Sequence, residues 1–339
     1  MQRTRNRGRR AAILGLALAA LAATGSHPYE AVEPHMGTLF RIKLYAADQD
    51  EAERAFRAAF ARITQLDNIL SDYKPDSELN RLPQTAIHHP IHISPDLFQV
   101  ISASENLSER TAGAFDITLG PLTHLWREAR KNKRLPDEAE IETAKAKCGF
   151  KFLHLDATRH SIELDREGMQ LDAGGIAKGY AADEALRILS LQGIRSALVA
   201  ASGDLAFSEA PPGEPGWKVG LDSIDSASAP FTRVLLLTNA AVSTSGPSEQ
   251  HLDAAGVRYS HIIDPNTGLG LTRNITATVI ARRGIDADSL ATAVSVLGAQ
   301  RGMAFIEQQP GISALILTNE RGRSCLSEST GFKQLRKAP

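Results

Sequence analysis

The alternation of apolar and polar residues along the chain predicts both strands and helices. Residues 35–44 alternate and predict a strand with one buried face, whereas apolar residues recur every three or four positions between Glu51 and Leu70 and predict an amphipathic helix. A serine cap and a proline at the first helical position, in Ser94-Pro95-Asp96, predict the start of a second helix. Similar patterns predict helices over 136–148 and 286–297, a hairpin over 152–164, and strands over 197–200, 217–221, 234–237, 275–280 and 312–317. Because strands and helices mix without regular alternation, the expected class is α+β, with mixed sheets covered by helices.

Residues 171–183, LDAGGIAKGYAAD, predict a strand that runs through a glycine turn into a helix. Gly174 and Gly175 lack a Cβ, so the backbone can turn sharply there and let a bulky anion approach its amides. Amides at a helix N-terminus favour a phosphate, and Lys178 would add a positive charge. Asp172 could accept a hydrogen bond or face a cation. On these residues alone, a structural corner with glycines for close packing remains the alternative.

Three other segments carry candidate chemistry. The polar loop 71–82 holds Tyr73, which can stack on a flat ring or be an ordinary half-exposed loop residue. His261 lies near an aspartate at a predicted strand end, a setting in which a structural histidine is the simpler interpretation. Asp288 and Thr292 are four residues apart on a predicted helix, so their oxygens share one face and suit a hard cation such as Mg²⁺. An acidic first turn that stabilises the helix dipole is the alternative there.

Several motifs, in order between about Met36 and Leu335, resemble those of the ApbE family of FAD:protein FMN transferases. The segment 172–183 matches D-x-G-G-x-A-K-G-Y-x-x-D, which is specific to that family. The other matching segments are M-G-T at 36–38, S-x-Y-x-x-x-S-E-L-x-R-L at 71–82, G-x-F-D-x-T-x-G-P-L at 113–122, A-x-S-T-S-G at 241–246 and S-H-I-I-D-P-x-T-G at 260–268.

The resemblance implies a T-fold-like α+β architecture and one flavin transferase domain over 27–335. It also implies Mg²⁺-dependent transfer of FMN from FAD to a threonine or serine hydroxyl of a target flavoprotein, with release of AMP. The acceptor it implies belongs to an electron-transport complex. The residues that it assigns are a base, His261, contacts to the flavin nucleotide, Met36, Tyr73, Ala114, Phe115, Asp116, Asp172, Lys178 and Ile263, and ligands of Mg²⁺, Gly175 through its carbonyl, Asp288 and Thr292.

Two positions depart from the family pattern. Ser202 stands where the family has the first glycine of G-G-D, and Pro247-Ser248-Glu249 stands where an aromatic residue is usual. Two other functions therefore remain open. Water could replace the protein hydroxyl, which would make a Mg²⁺-dependent FAD pyrophosphatase, or the chain could be a non-catalytic exported protein that binds FAD.

The N-terminus predicts export. Arg3, Arg5, Arg7, Arg9 and Arg10 precede an apolar run over 11–23 that is too short to span a bilayer comfortably, so residues 1–26 are expected to be a signal peptide. The Arg9-Arg10 pair is also compatible with a twin-arginine signal. The expected location is periplasmic, with membrane association if the signal is uncleaved. No cysteine follows the apolar run, so a lipoprotein is not expected.

Charge and cysteine content narrow the classes further. The formal net charge of −1 gives no basic excess for a nucleic-acid partner. Cys148 and Cys325 are the only cysteines and form no C-x-x-C motif, so neither a zinc site nor a disulfide framework is indicated. The sequence leaves open whether the two pair.

Overall fold

The computed structural model describes residues 25–221, 233–246, 250–320 and 323–337. The strands within these ranges are β1 (His27–His35), β2 (Thr38–Ala46), β3 (Ile91–His92), β4 (Leu153–Asp156), β5 (Ser161–Leu164), β6 (Ala197–Ala201), β7 (Asp204–Phe207), β8 (Trp217–Leu221), β9 (Arg233–Leu237), β10 (Ala240–Ser245), β11 (His251–Ala254), β12 (Val257–Ser260), β13 (Asn274–Ala281), β14 (Ser313–Glu320) and β15 (Arg323–Glu328). The helices are α1 (Gln49–Leu70), α2 (Glu78–Thr85), α3 (Pro95–Arg110), α4 (Gly120–Asn132), α5 (Glu138–Lys145), α6 (Ala177–Leu191), α7 (Gly284–Leu297), α8 (Ala299–Ile306) and α9 (Thr330–Lys333).

One large sheet organises the fold. Its eight strands lie in the order β1-β2-β6-β7-β10-β13-β14-β15, and neighbouring strands pair antiparallel. Smaller antiparallel sheets are formed by β3-β5-β4, β8-β9 and β11-β12. Among the described residues, parallel pairing occurs at the isolated bridges Ile87–Leu164 and Leu119–Gln170. The predicted α+β class is confirmed.

Other elements cover both faces of the large sheet, so its interior strands bury side chains on both sides. Helices α1, α6 and α7 pack on one face. On β13, Val279 belongs to the core beneath these helices, whereas Ile280 faces the opposite core with Trp217 of β8 and Phe332 of α9. Successive side chains of a strand point to opposite faces, so the interior strands are apolar on both.

Most of the predicted elements are present. The predicted helix over 51–70 is α1, whose N-cap Asp48 accepts a hydrogen bond from the amide of Glu51. Helix α3 begins at Pro95 as expected, with the Ser94 side chain as its cap. Two of the differences lie near the predicted glycine turn and the Tyr73 loop. The polar segment 71–82 contains the start of α2, which Ser77 caps.

The strand predicted just before the glycine turn is wrong. The chain there is extended and makes one parallel bridge, at Gln170, before α6 begins at Ala177. Met169, Leu171 and Ala173 are buried and alternate with Gln170 and Asp172. An extended segment whose side chains are buried by its neighbours gives the same alternation as a strand.

Three expectations concern other parts of the chain. Most of the predicted signal peptide, residues 1–24, lies outside the described residues. Among the helices that are described, none combines the length and apolar character needed to cross a bilayer. Cys148 is buried, Cys325 is exposed, and both are free thiols.

Candidate active site

A single cleft brings the predicted site residues together. It has a volume of about 320 Å³ and is lined by all twelve of them: Met36, Tyr73, Ala114, Phe115, Asp116, Asp172, Gly175, Lys178, His261, Ile263, Asp288 and Thr292. These residues come from distant parts of the chain, so the fold and not the local sequence brings them together. Their individual roles stay predictions.

The close approach of α6 and α7 builds one end of the cleft. A Cβ at Gly179 would lie 2.1 Å from the carbonyl oxygen of Gly284, and a Cβ at Gly284 would lie 2.3 Å from that of Gly179. No real Cβ tolerates such a distance, so glycine is required at both positions. The two glycines let the helix backbones touch, which places Asp288 of α7 against the first turn of α6.

Each of these helices also caps the other. Asp183 on α6 accepts hydrogen bonds from the amides of Gly284 (2.6 Å) and Ile285 (3.0 Å), the first two residues of α7. In return, Asp288 on α7 accepts a hydrogen bond from the amide of Gly179 (3.0 Å) in the first turn of α6. Carboxylates at these positions satisfy amides that have no partner within their own helix. Burial raises the pKa of Asp183 to about 6.

The crossing concentrates charge at this end of the cleft. Asp288 and Asp204 are buried, at 4% and 5% exposure. The Nζ of Lys178 lies 3.2 Å from Asp204 Oδ2 and 3.7 Å from Asp288 Oδ2. Burial, reinforced by the charge of Asp204, raises the pKa of Asp288 to about 7 although Lys178 opposes the shift. Two buried carboxylates beside one ammonium leave negative charge that a further cation could neutralise.

Gly175 and Thr292 lie side by side near these charges. A Cβ built on Gly175 would lie 3.0 Å from the Oγ1 of Thr292 and 3.4 Å from the ring of Phe115. The glycine therefore lets the turn before α6 pack against α7. The structure brings together the three residues that the sequence assigns to a metal. Lys178 also has a structural contact within the turn, because its Nζ donates a hydrogen bond to the Gly174 carbonyl at 2.8 Å.

The opposite end of the cleft is made of turns and loops. Met36 and Gly37 form the two-residue turn between β1 and β2, with φ of 49° and 72°. Positive φ at both positions is typical of a type I′ turn and explains the glycine of the M-G-T motif. Tyr73 approaches this turn, with its Cε2 atom 3.9 Å from the position of a Cβ on Gly37. The Tyr73 residue is 59% exposed, so its ring is accessible to a ligand.

The segment 114–116 forms a wall between the two ends. Ala114 and Phe115 are buried at 9% and 5% exposure. The Asp116 carboxylate accepts hydrogen bonds from the amide and hydroxyl of Thr118 (2.8 and 2.6 Å) and from the amide of Phe150 (3.0 Å). Burial raises the pKa of Asp116. Its carboxylate therefore holds the wall in shape.

His261 lines the cleft directly after strand β12. Its Nδ1 is 3.2 Å from the carbonyl oxygen of Gln250, which also accepts the backbone amide of His261 at 3.0 Å. A carbonyl can only accept, so the neutral ring carries its proton on Nδ1 and presents Nε2 as the basic nitrogen. Ile263, two residues further on, is 4% exposed and belongs to the hydrophobic cluster that contains Trp126 and Leu252.

Sequence reasoning missed Arg127 of α4 and its partner Asp72. Arg127 is ion-paired with Asp72 and with Asp172, the latter at 2.9 Å, and its guanidinium carbon lies 4.3 Å from the centre of the Tyr73 ring. No local pattern marks this residue, because its partners come from two other segments. In the sequence, Arg127 is visible only as a basic residue after Trp126, and nothing there indicates its partners.

One departure from the family pattern falls where the backbone conformation favours glycine. Ser202 has φ of 56°, in the left-handed region that favours glycine. It lies at the turn between β6 and β7 and lines the cleft. The other departure, Pro247-Ser248-Glu249, lies outside the described residues.

The fold and the cleft together define a class of protein. The α+β fold with its large antiparallel sheet carries a cleft with buried carboxylates, which can hold a cation, and with an exposed aromatic ring, on which a flat ligand can stack. A sequence model of the ApbE family matches residues 36–316. The chain belongs to the ApbE family.

Individual relatives and solved structures agree with this assignment. The chain is 31% identical over 304 residues to a FAD:protein FMN transferase of Treponema pallidum, covering 85% of this chain and 84% of the relative. It is 30% identical over 328 residues to a protein of the same name from Vibrio cholerae, covering 94% and 97%. The crystal structure of the Pseudomonas stutzeri flavinyl transferase ApbE, apo form, superposes with a TM-score of 0.82 at 28% identity, covering 94% of this chain and 100% of that one.

Proposed function

We propose that this chain transfers FMN from FAD to a threonine or serine hydroxyl of a target flavoprotein and releases AMP. The observation that carries the proposal is the single cleft that gathers all twelve residues expected of such a site. Relatives that are 30–31% identical over most of their length are FAD:protein FMN transferases by name. Membership of the same family supports the same chemistry here.

The proposal includes Mg²⁺ held by the carbonyl of Gly175, the hydroxyl of Thr292 and the carboxylate of Asp288. These groups are all oxygen donors, which Mg²⁺ prefers. The contact of Gly175 with Thr292 and the two buried carboxylates, Asp288 and Asp204, beside the single ammonium of Lys178 support the fit. When bound, the ion supplies neutralisation of charge on the pyrophosphate oxygens.

The remaining chemistry is assigned to protein groups. His261 accepts the proton of the acceptor hydroxyl on Nε2, because its Nδ1 is engaged by the Gln250 carbonyl. The hydroxyl oxygen then forms a bond to the phosphorus of the FMN half. The bond from that phosphorus to the bridging oxygen breaks, and AMP leaves with the oxygen and the electron pair. Tyr73 and the wall at 114–116 hold the flavin, since both face the same cleft.

A mass spectrum of an acceptor peptide tests the proposal directly. We expect a threonine-containing acceptor incubated with the protein, FAD and Mg²⁺ to gain about 438 Da, the mass of FMN less water, and to gain nothing with EDTA. Free FMN and AMP without a modified peptide would instead show a pyrophosphatase. Intact FAD after long incubation would favour a protein that only binds it.

Replacement of His261 separates binding from chemistry. We expect His261→Ala to bind FAD normally and to lose transfer by about 10²- to 10⁴-fold, the usual contribution of a general base. His154→Ala is the matched control, because His154 pairs with Asp165 on the surface and does not line the cleft. Equal transfer rates in the two variants would refute the assignment of the base.

The location and the partner belong to the same proposal. Residues 1–26 act as an export signal, and residues 27–335 form the transferase domain that works on the exported side. The acceptor is a flavoprotein of an electron-transport complex there. Fractionation of cells that express the full chain tests the location, and a mature N-terminus near residue 27 would establish cleavage.

A further inference from the structure

Within the part of the chain that the structure describes, the guanidinium of Arg127 contacts side chains from both ends of the cleft. It lies on the face of α4 that lines the cleft, and its side chain is 22% exposed. Its guanidinium reaches Asp72 and Asp172, whose side chains are 6% and 11% exposed. It also covers the ring of Tyr73, with 4.3 Å between the guanidinium carbon and the ring centre.

The planar guanidinium fits these three partners at once. Arginine can donate to two carboxylates from one plane while its face stacks on an aromatic ring, whereas the ammonium of a lysine can do only one of these well. Without a cation, the buried carboxylates of Asp72 and Asp172 would face each other. Arg127 therefore holds the Tyr73 loop against the segment that precedes α6.

The contact with Tyr73 determines how a ligand can approach the ring. Because the guanidinium covers one face, a flat ligand can stack only against the other. A ring fixed in one orientation loses less conformational freedom when the ligand binds than a ring that turns freely on an exposed loop. The tyrosine is 59% exposed, so its own packing does little to fix it.

The contact with Asp172 reaches the other end of the cleft. The second oxygen of Asp172, Oδ1, accepts a hydrogen bond from the amide of Gly174 at 2.7 Å. Gly174 precedes Gly175, whose carbonyl is assigned to the metal. A displacement of Asp172 would therefore move the glycine turn that packs against Thr292 of α7.

We propose that Arg127 is a positioning residue that fixes the Tyr73 ring for the flavin and links it, through Asp172, to the glycine turn. This inference rests on the proposed function, because it takes FAD as the ligand. It assigns to Arg127 no contact with the reacting atoms. The expected effect of its loss is weaker and less ordered binding of the flavin ring.

The test measures FAD binding with EDTA present, so that turnover plays no part. Titration followed by quenching of flavin fluorescence reports stacking on the tyrosine. We expect Arg127→Met to weaken FAD binding by about tenfold and to reduce the maximal quenching. Arg127→Lys keeps a charge between the carboxylates and protects the fold, and we expect an intermediate loss because the stacked plane is absent.

A double-mutant cycle shows whether Arg127 acts through Tyr73. We expect Tyr73→Ala to weaken binding by about tenfold in the native background and by less than about threefold in the Arg127→Met background. Lys131→Met is the control: it removes one positive charge from the same helix at an exposed position that does not line the cleft. It should leave binding unchanged.

The outcomes are distinct. Additive losses in the cycle, or unchanged binding in both folded Arg127 variants, would overturn the inference while leaving the proposed function intact. A native chain that binds no FAD at all would overturn the proposed function and this inference with it. Coupled losses in the cycle, with Lys131→Met unaffected, would support the inference.

Discussion

The two ends of the cleft are built in opposite ways. One end is made by helices α6 and α7, which are in backbone contact and cap each other through Asp183 and Asp288. The ring end is made by a two-residue turn and a loop, and its aromatic residue Tyr73 is 59% exposed. The first end therefore shares its residues with the core, whereas the second can change with little cost to the fold. Substitutions at the first end should therefore lower the free energy of unfolding, whereas substitutions at the second should change ligand binding with little effect on stability.

The largest effect is expected at the helix crossing. Gly179→Ala would place a methyl group 2.1 Å from the Gly284 carbonyl oxygen, so the helices must separate. We expect the free energy of unfolding to fall by roughly 3 kcal/mol or more. Urea denaturation measures it, with Ser190→Ala on the exposed side of α6 as the control. A loss below about 0.5 kcal/mol would contradict the close contact.

A pH-dependent effect sharpens the same end. Asp183 has a pKa of about 6 in the folded protein, above its value in an unfolded chain, because it is buried. The folded state then binds the proton more tightly, so the contribution of Asp183 to stability falls as the pH rises from about 4 to about 6, by roughly 2 to 3 kcal/mol. We expect Asp183→Asn to remove this slope from the pH profile of unfolding. An identical profile in native chain and variant would disprove the shifted pKa.

A smaller effect is expected at the ring end, and on binding only. Tyr73→Ala should weaken FAD binding by about tenfold and change the free energy of unfolding by less than about 0.5 kcal/mol. Tyr73→Phe keeps the ring and should bind nearly as well as the native chain. Should Tyr73→Ala destabilise the fold as strongly as Gly179→Ala, the contrast between the two ends would be lost.

The smallest effect concerns the turn at Ser202. Glycine tolerates φ of 56° better than serine does, so Ser202→Gly should stabilise the fold by roughly 0.5 to 1 kcal/mol. Ser202→Ala keeps the Cβ and should give no such gain. Thermal unfolding of the two variants side by side distinguishes this backbone effect from a loss of the hydroxyl.

Local pattern predicted the elements whose apolar residues recur regularly, and it missed α4 and β10, which also line the cleft. Helices α1, α3 and α7 repeat apolar residues at helical spacing, and strand β2 alternates, so burial on one face left a readable period. Helix α2 was missed because a short, polar segment with a proline inside it has only Leu79 and Leu82 to bury. The segment around Leu171 was misread because an extended segment buried by tertiary neighbours shows the same alternation of apolar and polar residues as a strand in a sheet.

The site was predicted through its motifs, and its contacts were not. The motif residues line the cleft, yet the reason for Gly179 becomes visible only beside Gly284, and the role of Arg127 only beside Asp72 and Asp172. These partners are far apart in the sequence, and no periodicity relates them. The resemblance named residues that line one cleft, and the structure shows which residues hold them in place.

The distance along the chain between the two ends has a consequence for folding. Met36 lies on the first hairpin and Thr292 on α7, and strand β2 pairs with β6 more than a hundred residues later. Pairings between such distant segments form slowly, because the loop must close before any contact is gained. We therefore expect the complete cleft to form only after these distant segments have paired, so FAD binding by a refolding chain should appear late.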